Sequence, residues 1–287
     1  MNRLQRLFSD NWAVRRQDMD SFMSLLLPGI IRGNLQGAAA LLNADKAKAA
    51  VASGPYRARW WEFDDVSIPV DSVAVLTLRG MLYSWESEWI VDMLSRAVAN
   101  PNICGIVLDI DGPGGMISHL DIAARAVAEC PKPVATVVTG IMASAHFWLG
   151  SSAERIFVAS PLCEVGSVGV MMTHCSFREY FRMNGIDYRE IYPDSADLKN
   201  KEVRALEDEG DESLVKDHAA RLHRLFADTV AGNLDISYDP ELPLFRGEMF
   251  MASEALELGY VDEAGSLDDA MRWVLARATL RRAEQMI

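Results

Sequence analysis

The sequence predicts a mixed α/β protein built around a mostly parallel sheet, and three observations carry that expectation. From Val73 onward, short apolar runs alternate with helix-like segments. Two glycine-containing turns follow apolar runs, where a strand would hand over to a helix, and no internal repeat or low-complexity tract breaks the pattern. The chain has 287 residues, half of them hydrophobic, enough for a sizeable core in one large domain with an appendage. The expected division is an N-terminal helical arm over residues 1–70 and a main domain over 71–287.

The arm is read from an amphipathic opening, the Ala-rich stretch Gly37 to Ala52, then Gly54-Pro55 and the aromatic patch Trp60-Trp61-Glu62-Phe63. Trp60 and Trp61 are expected to pack the arm onto the body. Val73 to Leu78 reads as a strand, Ser84 to Ala99 as a helix, and Ile103 to Ile110, apolar but for Asp109, as a second strand. Asp111-Gly-Pro-Gly-Gly115 is a tight turn into a helix ending near Cys130, and Val134 to Val138 is the next strand. Gly140 to Ser144 then enters a short helix. Strands are expected at Arg155 to Val158, Val165 to Met171 and Tyr188 to Tyr192, with a helix over Ser176 to Met183. A charged stretch, Asp194 to Glu212, precedes a long amphipathic helix from Glu212 to Asn233. The remainder, Phe250 to Gly265 and Leu267 to about Ala283, reads as helix, short strand and helix.

Composition excludes several classes. A net charge of −13 argues against a nucleic-acid partner, because phosphate contacts need clustered Lys and Arg. The four cysteines, Cys104, Cys130, Cys163 and Cys175, form no CxxC pair or Cys/His cluster, so neither a zinc site nor a disulfide framework is expected. A reducing, cytoplasmic setting suits them. The apolar run Phe22 to Ile31 is interrupted by Pro28 and is too short to cross a bilayer, so no membrane anchor is expected. No cofactor is indicated, and no GxxxxGK[ST] phosphate loop is present.

Both glycine-containing turns fall where open α/β sheets build their sites, at the carboxyl ends of strands. In Asp111-Gly112-Pro113-Gly114-Gly115 the glycines let the backbone aim N–H groups outward, as an oxyanion hole requires, although a plain turn has the same composition. Ser144 opens the helix of Ala143-Ser-Ala-His-Phe-Trp148, where a serine by itself is usually an N-cap. A strand-turn-helix serine placed one crossover after a glycine turn is, however, the arrangement acyl transfer needs.

The order DGPGG, ASAHFWL, VGSVGV (Val165 to Val170), Phe177 to Ile186 and ADLKNKE resembles the signal peptide peptidase A family, which includes soluble phage head-maturation proteases. The likeness runs from about Val73 to Gly265 and includes Leu244-Phe-Arg-Gly247 and Ala255 to Asp262. It implies a ClpP/crotonase-like spiral of β-β-α units over residues 71–287. It further implies Ser144 as nucleophile, Lys199 as general base, and Gly114 and Gly115 as oxyanion donors. Substrates would be protein segments, possible scaffold and capsid proteins among them, and the molecule a homo-oligomeric ring in the host cytoplasm or immature phage head. Two departures stand beside the implied pocket: Ala145 and His146 replace the family's common pair of glycines, and Asp111-Gly112 stands where a serine before the proline is more usual.

A lysine acts as a base only when uncharged, so this role for Lys199 requires burial. Its neighbours Asp194, Asp197, Lys201, Glu202, Glu207, Asp208 and Glu209 otherwise describe a solvated charge run, and Lys201 is the reserve candidate. His146 lies two positions from Ser144 on one helix and does not face it. His174, thirty residues beyond the serine, would suit a ClpP-like Ser-His-Asp triad and is assigned a structural or pocket role. The remaining alternatives are a free-standing cytoplasmic bacterial peptidase, a crotonase-type acyl-CoA enzyme that shares the fold, and an inactive assembly subunit.

Overall fold

A computed structural model describes residues 11–31 and 55–286, so the Ala-rich stretch Gly37 to Ala52 lies outside the described residues. In chain order the elements are β1 (Trp12–Val14), α1 (Arg16–Ile31), β2 (Arg57–Ala58), β3 (Ser72–Arg79), α2 (Ser84–Ala99), β4 (Ile103–Gly112), β5 (Gly114–Met116), α3 (Leu120–Ala128), β6 (Val134–Ala143), α4 (Ala145–Gly150), β7 (Arg155–Val158) and β8 (Glu164–Gly166). There follow α5 (Arg178–Met183), α6 (Lys201–Arg204), α7 (Ser213–Asn233), β9 (Met249–Met251), α8 (Ala252–Glu257), β10 (Glu263–Ala264) and α9 (Leu267–Glu284).

The main sheet runs β10-β7-β6-β4-β3-β2 with every pairing parallel. Parallel strands joined by helical crossovers are covered on both faces, which is why β3 and β4 are almost continuously apolar. Alternation along each strand divides the faces. Val73, Val75, Val107, Ala135 and Val137 meet Ala270, Met271 and Val274 of α9 in one cluster. Ala74, Leu76, Ile106, Leu108, Ile110 and Val138 face the larger core, shared with α2, α3, α4 and α7.

β6 belongs to two ladders. Ala135 to Val138 pair with β7, whereas Ile141 to Ala143 pair with β8, which in turn pairs antiparallel with β9. Between the two, the register against β4 jumps from Ile110↔Val138 to Gly112↔Met142, so three residues of β6 oppose one of β4. The bulge bends the strand out of the main sheet. Its backbone is held by Asp111, whose carboxylate accepts the Ile141 N–H at 3.0 Å, and Gly140 leaves room for that carboxylate. This is a mixed α/β fold around a mostly parallel sheet, as the alternation of apolar runs and helical segments implied.

Several local expectations are revised. Val165 to Met171 is a strand only over Glu164–Gly166, and Met171 makes an isolated bridge to Trp12. Tyr188 to Tyr192 forms no strand. Trp60 and Trp61 are half exposed; Trp60 still meets the body, edge to face with Trp89 of α2, while Phe63 is the residue buried in the core. Residues 57–58 join the sheet beside β3, and Phe63 and Ile68 pack in the large cluster.

α7 is coupled to α4 by Phe226, fully buried and stacked on Trp148 with ring centroids 4.6 Å apart and planes 8° from parallel. Phe226→Ala is therefore expected to cost about 3–5 kcal/mol in urea unfolding, as a large aromatic lost from a packed core does; a loss below about 1 kcal/mol would mean that α7 does not brace α4.

Candidate active site

Ser144 stands at the end of β6, where the strand turns into α4, with φ 55° and ψ −116°. That conformation is uncommon for a residue with a Cβ and persists only where the surroundings hold it. Here the Ser144 N–H donates to Gly166 O of β8 at 2.8 Å, and the Ser144 carbonyl accepts the Trp148 N–H at 2.9 Å to start the helix. The strained turn projects the side chain away from both elements, the geometry of a nucleophile elbow. Its hydroxyl donates a long hydrogen bond, 3.4 Å, to Gly169 O, and the residue is 1 % exposed.

The glycine turn lies against this serine. Gly114 has φ +112°, and a Cβ there would lie 2.9 Å from Ser144 Cβ and 2.2 Å from the Ala13 carbonyl oxygen. β5 is held on one side by Leu82, which donates to Gly114 O at 2.9 Å and accepts from Met116 N–H at 2.8 Å. On its other side runs β1, antiparallel, pairing Trp12, Ala13 and Val14 with Met116, Gly115 and Gly114.

His146, the sequence's departure from the resembled family, is buried, and its Nδ1 accepts the Gly114 N–H at 3.1 Å. Nδ1 therefore carries no proton in this arrangement. The expected oxyanion donor Gly114 is thus already committed, because its hydrogen is held by the imidazole. Two further N–H groups flank Ser144: Gly115 N–H, which is directed at the Ala13 carbonyl of β1, and Ala145 N–H, the first of α4, which has no intrahelical partner. The sequence marked Ala145 as a departure from the resembled family and not as a donor. Only its place directly after the serine could have marked it. Asp111, the other departure, serves the bulge that aims β6.

Lys199 is not brought to Ser144. It lies exposed after the turn Asp194–Ala196, its N–H donating to Ala196 O at 3.1 Å, and its side chain makes no hydrogen bond or ion pair among the described residues. Lys201 is exposed as well. His174 is engaged elsewhere: its Nε2 lies 2.9 Å from Glu207 Oε1, and Arg178 pairs with Glu207 and Asp208, so the stretch from His174 to Asp208 is tied to itself. Burial, with a smaller contribution from Glu86, pushes the Tyr83 hydroxyl well above its ordinary range, so the ring beside the cleft stays neutral. Among the described residues no group of His, Cys, Asp or Glu could hold a metal ion, and no helix is long and apolar enough to cross a membrane.

The chain is thus a mixed α/β protein whose mostly parallel sheet sets a serine on a strained strand-to-helix elbow beside a glycine turn. Residues 127–281 match Peptidase family S49, and the chain belongs to that family. It is similar to the capsid assembly protease C of Escherichia phage lambda, with 28% identity over 80% of this chain and 54% of that protein. It is likewise similar to the head-tail preconnector protein GP5 of Enterobacteria phage P21, with 30% identity over 71% of this chain and 41% of that protein. The chain therefore spans about half the length of these relatives. Among solved structures, a point mutant of ClpP1 from Listeria monocytogenes aligns with TM-score 0.47 and 16% identity over 69% of this chain and 94% of that one.

The hydrogen bond from Gly114 gives a direct test. His146→Ala leaves a buried N–H without its acceptor, a loss of about 1–3 kcal/mol in chemical denaturation, whereas His146→Asn, which retains an acceptor, should recover part of it. An unchanged midpoint for His146→Ala would show that the imidazole does not support the turn.

Proposed function

We propose that this chain is a serine endopeptidase with Ser144 as nucleophile and Lys199 as general base. The observation that carries the reading is the strained elbow at Ser144, φ 55°, set against the glycine turn. In the reaction neutral Lys199 takes the hydroxyl proton while Ser144 Oγ attacks the scissile carbonyl. Gly115 and Ala145 N–H groups hold the oxyanion, Lys199 returns its proton to the leaving amine, and water releases the acyl group. Gly114 keeps its place as the residue whose missing Cβ admits the substrate carbonyl.

For Lys199 to serve, the segment bearing it must fold over the site or be supplied by a neighbouring subunit, which would also give the burial a neutral lysine needs. The composition of that segment supports assembly. Phe177, Tyr180, Met183, Ile186, Tyr188, Ile191, Leu198 and Val203 are all exposed, Ile191 at 90 %. A concentration of exposed apolar side chains of this kind marks a surface meant for contact. We take the partner to be further copies of this chain in a ring. The likeness to the lambda capsid assembly protease supports scaffold or capsid proteins as substrates, cut in the host cytoplasm or the immature head.

Ser144→Ala and Lys199→Ala should each lower casein cleavage by at least about a thousand-fold, and Lys199→Arg should fail equally because a guanidinium stays charged. Turnover retained in either alanine variant removes the dyad; loss in Lys201→Ala with activity kept in Lys199→Ala moves the base to Lys201. Sedimentation velocity should find the unsubstituted chain as an oligomer and Ile191→Glu as smaller species with little activity. A monomeric unsubstituted chain would remove the ring.

A further inference from the structure

β1 runs beside Ser144, its Ala13 carbonyl against Gly114. It enters as an added strand, bonded to β5 on one side and to Met171 on the other, where Trp12 N–H donates to Met171 O at 3.3 Å and Met171 N–H to Trp12 O at 2.8 Å. Strand addition of this kind is how extended peptides are recognised, main-chain bonds giving affinity and alternate side chains giving specificity.

The register aims one peptide unit at the serine. Arg15 N–H donates to Pro113 O and Ile117 N–H to Asn11 O, so by the alternation of antiparallel ladders Ala13 and Gly115 form the doubly bonded pair between them. The Gly115 N–H is thereby directed at the Ala13 carbonyl, whose oxygen crowds the bare face of Gly114 next to Ser144 Cβ. A small residue is required there: Ala13 is fully buried. Its neighbours point the other way, into an apolar cluster separate from the main core, where Trp12 and Val14 lie among Met81, Tyr83, Trp85, Met116 and Met171. Arg15 holds the exit of the strand through Asp18 at 2.7 Å and Glu164 at 3.3 Å.

We infer that Trp12–Val14 is a substrate-like strand that fills the cleft of its own chain. The peptides this cleft selects then carry a bulky apolar residue, a small residue at the scissile carbonyl, and a branched apolar residue. The inference deepens the peptidase reading and rests on Ser144 being the nucleophile only for naming Ala13 as the scissile position. With Lys199 exposed elsewhere, the strand sits in the cleft without a base beside it.

Binding separates the two ideas. In full-length Ser144→Ala chain, where nothing can be cut, a fluorescein-labelled peptide of residues 11–18 is titrated by anisotropy. Ala13→Pro removes the N–H that pairs with Gly115 and cannot sit between two strands, so it should free the cleft. The peptide should bind this variant at least about ten-fold more tightly than the unsubstituted chain, a difference of about 1.4 kcal/mol. The same peptide with alanine for Trp12 should lose about ten-fold in affinity. Equal affinity for both chains, or binding to neither, overturns the inference. Ala13→Asp, which places a charge in the same buried spot, repeats the test independently of proline, with circular dichroism reporting the fold. Absent fluorophosphonate labelling in an Ala13→Pro chain that keeps Ser144, with peptide binding intact in its Ser144→Ala counterpart, would remove the nucleophile and leave the cleft occupancy standing.

Discussion

The site depends on a single hydrogen bond inside a bulge. Asp111 at the end of β4 accepts the Ile141 N–H, and around that contact three residues of β6 stand against one of β4. Without the offset β6 would continue flat in the main sheet. With it, the last residues of the strand leave for β8, and Gly166 O meets the Ser144 N–H that fixes the elbow. The strain at Ser144 is sustained by its surroundings: β8 behind, α4 ahead, and the Trp148–Phe226 stack beneath. Asp111, where the resembled family more usually carries a serine, thus acts on the scaffold. His146, the other departure, acts on the turn, receiving the hydrogen of Gly114 in a place where a glycine would offer no side chain.

Much of this was legible in the sequence wherever the signal is local. The run Ile103 to Ile110, apolar but for Asp109, reads as a strand buried on both faces, and Ser84 to Ala99 matches its helix at both ends. The family likeness singled out Ser144 and the glycine turn, although neither motif alone separates a site from a cap or a plain turn. What could not be read were pairings between distant parts of the chain. β1 has three residues and its partner lies about a hundred positions away, too short for any period and too far for any turn signal. The bond between Gly114 and His146 crosses 32 residues and depends on the crossover having formed.

The expected strand at Val165 to Met171 stops at Gly166, and that at Tyr188 to Tyr192 is absent, for a related reason. Both have the apolar and β-branched content of strands, but a strand exists only if another backbone is beside it. Past Gly166 the chain follows β9 no further, and Tyr188 to Tyr192 lie in an exposed stretch whose polar groups bond mainly within it. In the first segment Val165 and Val168 are buried in the core, whereas Tyr188 and Ile191 of the second face outward, where a second molecule can meet them.

The outer strands of the main sheet, β2 and β10, are each two residues long. A short edge offers too little unpaired backbone for a stray chain to join, the usual hazard of an open sheet. Capacity to recruit an extended chain is therefore withdrawn from the flanks and concentrated between β5 and Met171, beside Ser144. The same backbone chemistry that would glue molecules together indiscriminately at an unguarded rim becomes, in that one slot, a means of selection.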